Sequence, residues 1–169
     1  MPLDLTFFPR WNLVHADYFG CTTVGDIVRS YSDMLSHPES DCLRYAINDM
    51  RSLTNLNVFY EGMSFLARTV SADAALRAAP WEIAFVAPQR DMTPILTDYC
   101  AQVSRAGTVR CARFADIPAA IDWLGLPCGV MDLSVANSRR IGDARASTTV
   151  LTASRAQPDP ADGVHRQKS

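Results

Sequence analysis

Apolar and polar positions alternate with a period of two over Leu3 to Phe7, where Leu3, Leu5 and Phe7 flank Asp4 and Thr6. This predicts a β-strand. Pro9-Arg10 breaks the run, and Leu13 to Phe19 forms a second strand that ends at Gly20. The short gap makes the two an antiparallel hairpin. Thr22-Thr23 then opens a helix, with Asp26 three residues after Thr23 in a capping-box relation. Val24, Ile27, Val28, Tyr31 and Leu35 share one stripe of that helix, and Pro38 closes the segment.

Leu43 to Ile47 is the next strand, delivering Asn48 and Asp49 at its carboxyl end, and a Ser/Thr/Asn loop follows. Helical spacing returns in Phe59, Gly62, Met63, Leu66 and Val70 and runs out before Pro80. Trp81 to Ala87 is a near-continuous apolar strand, the pattern of a strand covered on both faces. Asp91 caps a helix carrying Ile95, Leu96, Tyr99, Cys100 and Val103, which ends at Gly107. Val109 to Phe114 is the last strand. Asp116 caps the last helix, Pro118 sits in its first turn, and Ile117, Ala120, Ile121 and Leu124 face inward. The order β-β-α-β-α-β-α-β-α predicts an α/β fold: a mainly parallel sheet of about five strands, an antiparallel first strand at an edge, and four helices.

Composition divides the chain near Pro127. Residues 127–169 contain no Phe, Trp or Tyr and hold six basic residues against four acidic ones. A segment without aromatic surface has little to offset the entropy of ordering. The expected organisation is one α/β domain over 1–126 and a polar, largely disordered tail over 127–169. Two pieces of that tail, Val130 to Val135 and Thr148 to Thr152, are apolar enough to dock.

Charge and cysteine usage narrow the role. Sixteen basic against eighteen acidic residues leave a net charge of −2, which argues against nucleic acid as a partner. Fifteen of the sixteen are arginines, scattered over the predicted elements in the manner of a solvated surface. No apolar run approaches the ~20 residues of a membrane helix. Met1-Pro2-Leu3-Asp4 carries no basic segment leading into an apolar core, so no secretory signal is expected. With five cysteines and no C-x-x-C pair, a cytoplasmic setting with reduced thiols follows.

Four stretches together resemble the SpoIIAA-like branch of the STAS domains. They are Gly20 with Thr22-Thr23 opening the first helix, Tyr45-Ala46-Ile47-Asn48-Asp49-Met50-Arg51 ending the central strand, Ile83-Ala84-Phe85-Val86-Ala87-Pro88, and Phe114 to Leu124 closing the domain. STAS domains are small α/β modules related in fold to anti-sigma-factor antagonists and, more distantly, to CRAL-TRIO lipid-binding domains. The resemblance covers residues 3–126. It implies a non-enzymatic regulatory or protein-interaction module that self-associates, as a homodimer, without a cofactor. It also implies a phosphorylatable Ser or Thr in the turn after the central strand, where Ser52 and Thr54 are the possible phosphosites. The Asp-Ser dipeptide and the glycine of the family turn are missing here.

Candidate chemistry is sparse. Asp49 and Arg51 lie at the carboxyl end of a parallel strand, where open α/β sheets place ligand crevices, and Arg90 with Asp91 belongs to the same rim. The opposed charges either anchor a partner or small anion, or close a local salt bridge. His15 and Asp17 share a strand face, with Cys21 as the one further metal ligand in reach; that set is incomplete, so no metal is expected. Cys42, Cys100 and Cys111 read as small core residues. Cys21 and Cys128 lack a partner base, and the common hydrolytic and phosphate-binding motifs are missing, so no enzyme is expected. The second predicted helix carries more apolar residues than one buried stripe needs. Phe59, Met63 and Phe65, with the loop holding Ser52 and Thr54, therefore form the expected partner surface. A small apolar or lipid-like ligand held between that helix and the sheet is the alternative.

Overall fold

Leu3–Phe8 (β1) and Leu13–Thr23 (β2) pair antiparallel, with Leu3 opposite Tyr18 and Phe8 opposite Leu13. Between them Pro9–Trp11 forms a single 3-10 turn, and Asn12 takes the left-handed conformation at φ 50°. Asparagine adopts that region more readily than most residues. The Asn12 carbonyl accepts from the amides of Arg44 and Tyr45, tying the hairpin to the strand that follows. The computed structural model describes residues 3–77 and 79–131.

After β2 the chain alternates: Val24–Leu35 (α1), Tyr45–Asn57 (β3), Tyr60–Ala75 (α2), Trp81–Val86 (β4), Thr93–Val103 (α3), Val109–Phe114 (β5) and Ile117–Trp123 (α4). The five strands form one sheet in the order β1-β2-β3-β4-β5, with β2 to β5 parallel and β1 the antiparallel edge. This is the α/β architecture that the alternation of periods predicts. Right-handed crossovers that always step to the next strand put their helices on one face. Accordingly Ile27 and Met34 of α1, Met63 and Leu66 of α2, and Leu96 and Val103 of α3 share one core with Val14, Ala46, Ile83 and Phe85 of the sheet. The opposite face is covered by α4, where Ala120, Ile121 and Leu124 meet Leu13, Ile47, Ala84 and Val86.

That second core extends past the expected end of the domain. Val130 is fully buried in it and Met131 packs alongside, so the packed chain reaches at least Met131. The rest of the expected tail, including Thr148 to Thr152, lies outside the described residues.

Helix starts follow local chemistry. Thr23 Oγ1 accepts from the Asp26 amide while Asp26 Oδ2 accepts from the Thr23 amide, completing the capping box. Asp116 Oδ1 accepts from Ala119 N at 2.9 Å at the start of α4. Asp91 does not cap α3. Its carboxylate accepts from the adjacent Met92 amide, and the helix starts at Thr93, which places Pro94 in the first turn where a missing amide costs nothing.

The main departure concerns β3. It was expected to end at Ile47, yet it continues through the supposed Ser/Thr/Asn loop to Asn57. Polar residues of low strand propensity are held there because β2 also continues, pairing Phe19 with Ser52 and Thr23 with Asn57. Buried Met50 and Leu53 fasten the inner side. Two register shifts let β3 pass two more residues than β2, and Gly20, at φ +65°, occupies the irregular stretch.

Candidate functional site

Beyond Tyr18, β2 has no partner in β1, and beyond Asp49, β3 has no partner in β4. The stretches Phe19–Thr23 and Met50–Asn57 therefore leave the sheet as a two-stranded ribbon. On the β4 side, Gln89 Nε2 donates to the carbonyls of Met50 (3.2 Å) and Arg51 (3.4 Å). Past that point no main-chain or side-chain hydrogen bond among the described residues reaches this edge of residues 52–57. Arg51, Ser52, Thr54, Asn55 and Asn57 are exposed along it.

Ser52 and Thr54 are thus strand residues, not the first residues of a helix. The favourable field that a helix start offers a phosphate is absent at both, because α2 begins only at Tyr60. The phosphosite geometry that the resemblance implies is not formed here.

The start of α2 stands beside the ribbon. Phe59 and Tyr60 are each 60% exposed and Phe65 is 54% exposed, whereas Met63 is 4% exposed and belongs to the core. Phe59, Met63 and Phe65 were all expected on the partner surface; Phe59 and Phe65 are exposed there, and Met63 is in the core instead. Phe59 precedes the first turn and lies over Gly62, and Gly62 itself is pressed against α1. A Cβ at Gly62 would lie 2.9 Å from Val24 Cγ1.

Asp49 and Arg51 are neighbours along one strand face. Burial pushes the Asp49 pKa up, but the approach of His15 and hydrogen bonds from the Arg51 side chain and amide outweigh it, with the guanidinium charge adding to them. The carboxyl is held well below the ordinary range. His15 Nε2 stands 3.6 Å from Asp49 Oδ2, a long contact that leaves this nitrogen without a close partner. Asp17 lies directly across from Asp49, with Asp4 on its other side. Its pKa is raised, first by burial and then by these two carboxylates, against the lowering effect of His15. A carboxylate so firmly ionised is a poor general acid, and its arginine is occupied by it. The pair is a local salt bridge. No group of three metal-ligating side chains occurs among the described residues. Arg90 is exposed on the loop after β4, away from this ion pair's contacts.

A cavity of about 60 Å³ opens between the sheet and helices α1 to α3. Its wall is apolar apart from a few polar tips. Tyr18 Oη donates to Asn48 Oδ1 at 3.2 Å, Tyr31 Oη donates to Asp73 Oδ2 at 2.8 Å, and the buried Trp81 Nε1 has no hydrogen-bond partner among the described residues. Burial raises the pKa of Tyr18, and burial with the Asp73 contact raises that of Tyr31, so both phenols stay neutral. The space admits about two waters or a group of three or four heavy atoms. This is the space between the second helix and the sheet where the sequence places its alternative, a small apolar or lipid-like ligand.

Sequence reading missed Tyr18, Asn48 and Trp81 as cavity residues because each sits in a strand whose pattern explains it without a cavity. It missed the ribbon because Asn and Ser weigh against a strand unless the partner is known. No helix of the described residues is long and apolar enough to cross a membrane. No family model, no curated protein and no solved structure matches the chain.

Proposed function

We propose that this domain is a non-enzymatic protein-interaction module that self-associates through the β2–β3 ribbon and the exposed start of α2. One observation carries the reading: β3 runs eight residues past its last partner in β4, and among the described residues its edge over 52–57 has no partner on that side. Natural edges are blunted with lysine, proline or a covering element. Residues 52–57, Ser-Leu-Thr-Asn-Leu-Asn, include no charge and no proline. An incoming strand finds main-chain donors and acceptors there, and Phe59 and Tyr60 stand at its end as aromatic anchors. A second copy of the chain brings the same edge and the same anchors, which suits a twofold homodimer. The resemblance to STAS domains supports the same class of role, in the cytoplasm.

Light scattering on the eluting protein tests this with Thr54→Lys and Phe59→Ser, with thermal melts alongside. A wild-type dimer that both variants convert to folded monomer supports the reading. A wild-type monomer, or a dimer indifferent to both changes, refutes it.

The cavity supports a second reading, the capture of a small apolar molecule bearing one hydrogen-bond acceptor. The specific observation is Trp81 Nε1, which has no hydrogen-bond partner among the described residues, since a buried donor without a partner is costly. Native mass spectrometry of the protein from its own cells distinguishes an occupied cavity from an empty one.

A further inference from the structure

Cys100 on α3 and Cys111 on β5 bring their sulfurs to 2.7 Å. Two sulfurs that do not interact stay well outside that distance, and a disulfide needs only a further approach to about 2.05 Å. Both cysteines are half-buried, so a small oxidant reaches them while a second protein does not. Cys21, Cys42 and Cys128 are exposed instead, and Cys42 is not the core residue its neighbours suggest, because the turn at Ser40–Cys42 leaves Leu43 as the buried side chain.

We propose that Cys100 and Cys111 are an oxidation site that closes to an intramolecular disulfide when the protein meets a peroxide. In the first step the Cys100 sulfur attacks one peroxide oxygen, the O–O bond breaks, and Cys100 becomes a sulfenic acid while water leaves. In the second, the Cys111 sulfur attacks the Cys100 sulfur, the S–O bond breaks, and the Cys111 proton departs with the hydroxyl as a second water. Two thiols lose one electron each and one peroxide is reduced to two waters. Burial, and then the contact with Cys100, hold the Cys111 proton on its sulfur. A thiol of that kind is slow towards outside reagents. Its reaction here is fast because the partner sulfur is already in contact, which makes the second step effectively unimolecular.

The bond joins the end region of α3 to β5 and fixes Tyr99, the residue before Cys100, against the sheet. Tyr99 is buried in the cavity wall, with its ring edge-on to Phe85 at 5.5 Å. Oxidation therefore stiffens one wall of the cavity and leaves the ribbon untouched.

The test uses the full chain with Cys21, Cys42 and Cys128 changed to serine, treated with hydrogen peroxide and then with a thiol-alkylating reagent after denaturation. The proposal expects loss of both alkylation sites, a mass lower by one hydrogen per cysteine, and a trypsin-resistant link between the fragments Asp91–Arg105 and Cys111–Arg113. Dithiothreitol restores both sites. Adding Cys100→Ser abolishes the link, with a thermal melt showing that this variant is folded. Oxygen adducts on either sulfur without a link, links only between two chains, or two sites still alkylated after peroxide would each overturn it.

Discussion

Arg51 Nε and Nη2 reach the two carboxylate oxygens of Asp49 at 2.9 and 2.8 Å, although the residues are only two apart on one strand. The match is possible because alternate side chains of a strand project to the same face, and the buried carboxylate fixes the arginine at the root of the ribbon.

Asp49 stabilises the fold when ionised, because its pKa in the folded chain lies well below the unfolded value. That contribution is complete above about pH 4 and is lost as the pH falls towards the folded pKa. Asp49→Asn costs about 1–3 kcal/mol at neutral pH, since it weakens charge-assisted bonds to a buried group. Urea melts between pH 3 and pH 7 should show a steeper acid loss in the wild type than in the variant.

Asp17 behaves in the opposite sense. Its folded pKa is raised by burial and by the carboxylates of Asp49 and Asp4, so stability falls as the pH rises from the unfolded pKa through the folded one. Asp17→Asn removes that repulsion. Its melting temperature should exceed the wild type's at pH 7, and the two should converge at pH 3.

Gly62→Ala should destabilise by about 1–3 kcal/mol, although alanine favours a helix interior. The added methyl meets both Val24 methyls at 2.9 and 3.0 Å, where α1 and α2 touch. Val24→Ala in the same chain should recover part of the loss, and the coupling from the double-mutant cycle reads the contact directly.

Leu124→Ala should cost about 2–5 kcal/mol, since Leu124 is buried between α4 and the sheet. Ending the chain after Leu126 should lower the melting temperature relative to ending it after Met131, because the shorter form lacks the buried Val130. Equal melting temperatures for the two truncations would show that Val130 contributes nothing.

What the sequence made legible was decided by periodicity. Trp81 to Val86 is buried at every position, and an apolar run broken only by Glu82 has few other readings. The capping pairs Thr23–Asp26 and Asp116–Ala119 are local, so neighbours in sequence suffice to find them. Asp49 and Arg51 were legible as a pair for the same reason. The ribbon was not, because Ser52, Thr54, Asn55 and Asn57 become strand residues only through the continuation of β2. Phe59 and Met63 share a stripe by spacing yet part company in the fold, since spacing does not show where the helix begins: a start at Tyr60 leaves Phe59 outside it and Met63 in the core. The Cys100–Cys111 contact depends on how α3 crosses β5, which no spacing along the chain reveals.

Strand order in the sheet equals strand order in the chain. Every strand after the first is therefore laid against one already in place, and no pairing waits for a later segment to be inserted between two earlier ones. Short loops close before long ones are needed, the condition under which folding is fast for a parallel sheet. A chain emerging from the ribosome can extend its sheet from β1 outward, with each helix sealing the pair just formed. α4 and the segment reaching Val130, the last of the described residues to arrive, then close the face opposite α1 to α3.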